Sequence, residues 1–180
     1  ENGGRTVASI AVVMACMGVV VQMMTATGLS SKISQFALSI AGDNLIILAL
    51  VVALTCTLFG MGMSSASAYI LAALLGAPAL VSFGVPLVVA HFFVFYFAEM
   101  SALTPPVAIG CLVASGLANA KFLKTCVIAL RLAIMGFVLP FLFLYRPALL
   151  LQGTAFEWFW AVLMVVCFLF CFIIVCENYF

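Results

Sequence analysis

The sequence predicts an all-α integral membrane fold, in which transmembrane helices accompany a re-entrant helical hairpin and a broken helix. Three observations predict it. The chain is 68% hydrophobic with only 6% charged residues and a mean hydropathy of +1.44, whereas a soluble domain carries roughly 25% charged residues. Thr104-Pro105-Pro106 lies inside an apolar stretch long enough for a membrane, where proline removes an N–H and clashes with the preceding turn. Upstream, Gly60-Met61-Gly62 interrupts another apolar run. Carbonyls freed by such breaks are costly in lipid, so the breaks must line a cavity or be buried in protein. Paired interruptions at membrane depth point to a transport site.

Residues 1–28 read as a transmembrane helix: 6–27 form a run of about 22 residues, enough to cross a bilayer, with Gln22 its strongly polar member and Gly28 closing it. Residues 29–42 read as an interfacial linking helix. Ile33, Phe36, Ala37 and Ile40 fall at helical spacing, with Ser30, Ser31, Lys32 and Gln35 elsewhere, the pattern of a helix lying near the headgroups. Asp43-Asn44 supplies N-cap chemistry for the next helix.

Residues 43–82 read as the hairpin, with apolar helices over 45–59 and 64–81 joined by Gly60-Met61-Gly62-Met63. Each helix is about 15–18 residues, at or near the ~17-residue lower limit of a span. A single long helix with a flexible kink is the rival reading. Residues 83–120 read as the broken helix, started by Pro86 after a turn at 82–86. A straight helix from there to Asn119 would reach about 50 Å, against a hydrocarbon core of roughly 30 Å. Two half-helices meeting at an unwound loop fit better.

Lys121 and Lys124 end the broken helix in water, and 121–150 read as another span carrying Arg131 and Pro140, bounded by Arg146 and Pro147. A polar turn at Gln152-Gly153-Thr154 leads into 151–180, a C-terminal span over 157–176 opened by Trp158 and Trp160, residues that favour the headgroup level. Lys121, Lys124 and Arg131 form the positive cluster, so that end is expected in the cytoplasm, with the hairpin entering from outside.

A net charge of +1 without a basic tail argues against a nucleic-acid partner. The first residue is Glu1 and no charged n-region precedes the first apolar run, so the chain reads as a piece of something longer. Cys16, Cys56, Cys111, Cys126, Cys167, Cys171 and Cys176 contain no C-x-x-C pair; they read as small hydrophobes. Cys167 and Cys171, at i and i+4, offer the alternative of a metal pair.

The breaks carry the chemistry. A dehydrated sodium ion wants hard oxygen ligands, obtained in membranes from unwound backbone and hydroxyls. The Thr104 hydroxyl, carbonyls over 102–104 held open by Pro105 and Pro106, and carbonyls of the Gly60-Met61-Gly62 tip are the candidates. Ser64 and Ser65 sit at the N-terminus of the next helix, where free N–H groups and the dipole favour a substrate carboxylate. Small residues over 64–68 have an alternative role in helix packing.

His91 and Glu99 stand eight apart on one face, about 12 Å by helical rise, too far to share a metal. His91 reads as a packed, hydrogen-bonded histidine. Glu99 is an ionisable group within a membrane segment, a functional candidate by default. It is read either as a coupling residue, lending charge to an ion site or carrying a proton, or as the structural partner of a cation elsewhere.

The run GMGMSSASAYILAALLGAPALVSFGVPLVVAHFFVFYFAEMSALTPPVAIGCLVASGLANA, with ALRLAIMGFVLPFLFLYRPALLL at 129–151, resembles the large membrane subunit of TRAP (tripartite ATP-independent periplasmic) transporters. It is most similar to the fused small/large permeases that work with TAXI-type binding proteins. The resemblance implies a bacterial inner-membrane, multi-pass permease and no catalytic residues. It implies no cofactor beyond sodium as coupling ion, with proton drive in some members. The implied partners are a periplasmic substrate-binding protein and a small membrane subunit or its fused equivalent. The implied cargo is an organic acid, a dicarboxylate or similar carboxylate. It implies an elevator fold with two hairpins and two broken helices in inverted repeat, of which this chain holds the second repeat. The second sodium site would fall at Gly60-Met61-Gly62 and Thr104-Pro105-Pro106. Glu99 departs from the apolar residue expected there. A divalent-anion/sodium symporter that needs no binding protein is the nearest alternative. An intramembrane enzyme is the remote one, since neither H-E-x-x-H nor G-x-S-x-G is present.

Overall fold

Asn44 opens the first long helix of the central bundle: its Oδ1 accepts the backbone N–H groups of Ile46 and Ile47 at 2.9 and 3.4 Å, satisfying donors a helix start leaves over. The computed structural model describes residues 15, 16, 18–20, 22–24, 26–150 and 154–176. Much of the span read at 6–27, and the Gln152-Gly153 turn, lie outside the described residues.

In order, the helices are α1 (Leu29–Ala41), α2 (Leu45–Gly60), α3 (Ser65–Ser82), α4 (Leu87–Met100), α5 (Ile109–Leu117), α6 (Phe122–Leu132) and α7 (Ile134–Tyr145). A 3-10 turn (Pro147–Leu150) and α8 (Ala155–Cys176) follow. The regular structure among the described residues is all helical.

α2, α3 and α4 pack on one another, α1 lies against α2 and α3, and α7 against α4. Leu48, Val52 and Cys56 from α2 meet Ala72 and Leu80 from α3, and Val89, Phe93 and Val94 from α4, in a sealed core. The opposite side of α2 is equally apolar, with Leu50, Leu54 and Leu58 exposed along one stripe. In water such a stripe would be a liability; in lipid it is the expected outer face.

The helices approach closely where Gly76 sits. A Cβ there would come within 2.7 Å of Val52 Cγ1, 2.9 Å of Val94 Cγ1 and 3.0 Å of Cys56 Sγ. Gly76→Ala is therefore expected to destabilise the bundle by about 1–3 kcal/mol, readable as a lowered melting temperature in detergent; an unchanged midpoint would show that α2 and α4 yield freely.

Pro78 lies inside α3 and deprives the carbonyl four residues back of its donor. One residue on, the Ser34 hydroxyl of α1 donates to the Leu75 carbonyl at 3.1 Å, which pins α1 to α3. Of the apolar residues read at helical spacing in α1, Ala37 is buried and Ile33 half-buried, while Phe36 and Ile40 turn outward. α1 docks instead through Ser34, Ala37 and Ala41, small side chains that let backbones approach.

By length and composition, Ser65–Ser82 and Phe122–Tyr145 among the described residues are long and apolar enough to cross a membrane. The second runs 24 residues through α6 and α7 and is only 11% buried, so its surface needs lipid or another subunit. A single turn residue, Ala133, separates α6 from α7 within it. α8 begins at Ala155, ahead of the expected Glu157. The cause is a reciprocal cap: Thr154 N–H donates to Glu157 Oε2 at 3.0 Å and Glu157 N–H to Thr154 Oγ1 at 3.4 Å.

Candidate functional site: the hairpin tip and the broken helix

α4 stops at Met100, not at Thr104. The Pro105 ring would collide with the carbonyl four residues back, on Ser101, and the residue before a proline is driven out of the helical region. The chain tightens into short turns instead. Ser101, Ala102, Leu103 and Thr104 N–H groups each donate to the carbonyl three residues earlier, at 3.1–3.3 Å. The Pro105–Pro106 peptide is cis. Ala108, buried and in the left-handed region at φ 39, ψ 56, turns the chain into α5.

These turns sort the loop's oxygens. The Ala102 carbonyl accepts Gly110 N–H at 3.0 Å, an approach that a Cβ on Gly110 would crowd at 3.2 Å. The Leu103 carbonyl faces Cys111 Sγ at 3.7 Å. Both carbonyls, read as ion ligands, are thus engaged within the loop. Among the described residues, no N–H or O–H reaches the carbonyls of Thr104, Pro105, Pro106 or Val107. The Thr104 hydroxyl donates to the Met100 carbonyl at 2.9 Å, which spends its proton and leaves its lone pairs for another partner.

The tip meets this loop from the other side. After α2 ends at Gly60, Met61 and Gly62 (φ 80) turn the chain, and Met63 N–H reaches back to the Gly60 carbonyl at 3.4 Å. A Cβ on Gly60 would stand 2.9 Å from Ser101 Oγ, 3.0 Å from the Ala98 carbonyl oxygen and 3.3 Å from Ala98 Cα. A Cβ on Gly62 would stand 3.7 Å from Val107 Cγ1. The glycine tip therefore contacts the chain on both sides of Thr104-Pro105-Pro106. As in the loop, no N–H or O–H among the described residues reaches the Met61 or Gly62 carbonyls.

Ser101 and Val107 bound the segment the sequence assigns to the break, and the residue that sequence reasoning missed is Thr57. Thr57 Oγ1 lies 2.8 Å from the Ala53 carbonyl and 3.4 Å from that of Phe97, whose helical donor is lost when α4 ends. A threonine within an apolar helix is the signal by which it can be found.

Ser64 and Ser65 do different things. Ser64 Oγ donates to Ser67 Oγ at 3.1 Å, a bond between side chains of the first turn that leaves the backbone N–H groups at the start of α3 without a side-chain cap. Ser65 Oγ donates to Glu99 Oε2 at 2.9 Å. The serine read as a donor to a substrate carboxylate thus holds the chain's own carboxylate, at a helix N-terminus where negative charge is favoured. Glu99 Oε1 is buried with no hydrogen-bond partner among the described residues.

His91 Nδ1 sits 3.0 Å from the Tyr69 hydroxyl, beside a cavity of about 240 Å³ lined by Tyr69, His91, Phe92 and Phe95. A larger cavity of about 780 Å³ lies away from the breaks, between Tyr145, Arg146, Glu157 and Trp160. No group of three or more His, Cys, Asp or Glu able to hold a metal occurs among the described residues, and Cys167 and Cys171 are exposed.

A family model described as "Tripartite ATP-independent periplasmic transporter, DctM component" matches residues 1–159, spanning both the tip and the break. Comparisons with curated proteins and with solved structures return no match. An apolar helical chain with two interrupted segments in contact, matched over that length, belongs to the DctM family, the large membrane component of TRAP transporters.

Proposed function

We propose that the chain is part of a permease that imports an organic acid, a dicarboxylate or similar carboxylate, driven by a sodium gradient. A periplasmic binding protein, of the TAXI type, delivers the cargo. A small membrane subunit, separate or fused, completes the complex in the bacterial inner membrane. In this reading α2 and α3 form a re-entrant hairpin entering from the periplasmic side. The segment from α4 through α5 is the broken helix of the second inverted repeat in an elevator transport domain, and the Lys121 end faces the cytoplasm.

The observation that carries the proposal is the meeting of the Gly60–Gly62 tip with the Ser101–Val107 loop. At that meeting the Met61, Gly62 and Thr104 to Val107 carbonyls lack hydrogen-bond donors among the described residues. Backbone oxygens left open at membrane depth cost several kcal/mol each unless something replaces water. A sodium ion takes several such oxygens at once. The Thr104 hydroxyl, its proton already committed to Met100, is a further ligand.

Uptake by the full-length permease, reconstituted with its binding protein, is expected to require inward-directed sodium. Thr104→Ala should raise the half-saturating sodium concentration about three- to tenfold, the ~1 kcal/mol of one oxygen ligand. An unchanged sodium dependence would remove Thr104 from the site.

A further inference from the structure

We infer that Glu99 supplies the negative charge of a sodium seat between the first turn of α3 and the end of α4. The inference rests on the sodium-coupled reading above and adds to it a side-chain ligand with a coupling role.

Glu99 Oε2 is held by Ser65, while Oε1 is sealed from solvent without a donor among the described residues. A carboxylate oxygen in that condition is costly and calls for a cation. The helices packed on α4 provide none. α2, α3 and α7 contain no charged residue, and their titratable groups are the Cys56 thiol, the Tyr69 hydroxyl engaged with His91, and Tyr145 at the far end of α7. The hydroxyls of Ser64, Ser65 and Ser67 are hard oxygens of the kind sodium prefers.

The charge arithmetic links ion to cargo. Without a cation, a substrate carboxylate arriving at the α3 N-terminus meets Glu99 there, and two carboxylates at such range repel. With sodium seated on Glu99, the same carboxylate meets a neutralised pair. Each ligand then raises the affinity for the other, as linkage requires. The fixed negative charge makes loading of the anion depend on prior loading of the ion.

The test uses the full-length permease in lipid nanodiscs, with radiolabelled sodium as the probe and choline replacing sodium at constant ionic strength. Glu99→Gln is expected to weaken sodium binding at least tenfold and Ser65→Ala several-fold. In sodium-free choline buffer, Glu99→Gln should melt above wild type, because an uncompensated buried charge has been removed. Sodium binding by Glu99→Gln equal to wild type would overturn the inference. So would a lower melting point in choline, which would mean that another part of the chain already pairs the carboxylate. Should Glu99→Gln not fold, Glu99→Asp decides: weakened sodium binding supports the seat, and unchanged binding overturns it. Thr104→Ala runs alongside. If it weakens sodium binding and Glu99→Gln does not, the Glu99 seat alone fails; if neither does, the sodium reading of both breaks fails with it.

Discussion

Gly60→Ala should reduce sodium-driven uptake by at least tenfold while the permease still folds and inserts. The added Cβ would press on Ser101 Oγ at 2.9 Å, which can rotate, but also on the Ala98 carbonyl oxygen and Cα at 3.0 and 3.3 Å, which are backbone and cannot. Relief requires the hairpin tip and the end of α4 to part by a few tenths of an ångström. Overpacking of this kind costs about 1–3 kcal/mol, and each ~1.4 kcal/mol lost from an ion or transition state is tenfold in rate or affinity. Gly116→Ala is the matched control, because a Cβ there meets nothing within 4 Å and alanine favours a helix. Initial uptake rates in proteoliposomes, read beside melting temperatures for both variants, check the prediction. Wild-type uptake by Gly60→Ala would show that the contact between tip and loop is dispensable.

Phe93→Ala should be the most destabilising single truncation in the bundle. Phe93 is fully buried, with ring centroids 4.9 Å from Phe97 and 5.5 Å from Phe141, so it joins α4 to α7 as well as filling the core. Phe→Ala in soluble cores costs about 3–5 kcal/mol. Lipid is as apolar as a protein core, so the water-transfer part of that cost is small here. The loss of packing around the cavity remains, which places the expected value near 3 kcal/mol. Unfolding in mixed micelles measures it. A loss below about 1 kcal/mol would mean that α7 re-seats itself over the gap.

The interruptions near Gly60 and Pro105 were legible because they are local chemistry. Proline excludes helix from the residues before it, and glycine tolerates the turn at Gly62 (φ 80) that other residues resist. The same holds for Asn44, whose cap bonds reach only two and three residues ahead. Other features were not legible. The Ala102 and Leu103 carbonyls looked free in an unwound loop, yet Gly110 and Cys111 fold back onto them. Ser65 looked available to a substrate, yet Glu99, 34 residues away, occupies its hydroxyl. The apolar pattern of α1 did not reveal that Ser34 and its small neighbours, rather than Phe36 and Ile40, make the contact. Periodicity reports which faces are apolar, and in a membrane protein nearly every face is.

Local chemistry makes the chain helical, apolar and interrupted at a glycine tip and a double proline. Each of those properties follows from side-chain transfer energy or from backbone sterics within a few residues. Long-range packing set the rest: the tip rests against Ala98, Ser101 and Val107, and no donor among the described residues reaches the carbonyls of Thr104 through Val107. The same packing leaves one oxygen of Glu99 buried without a donor among the described residues. Those facts depend on how closely α2, α3 and α4 approach, which is set by small residues such as Gly60 and Gly76 packing across helices, a distance no linear pattern encodes.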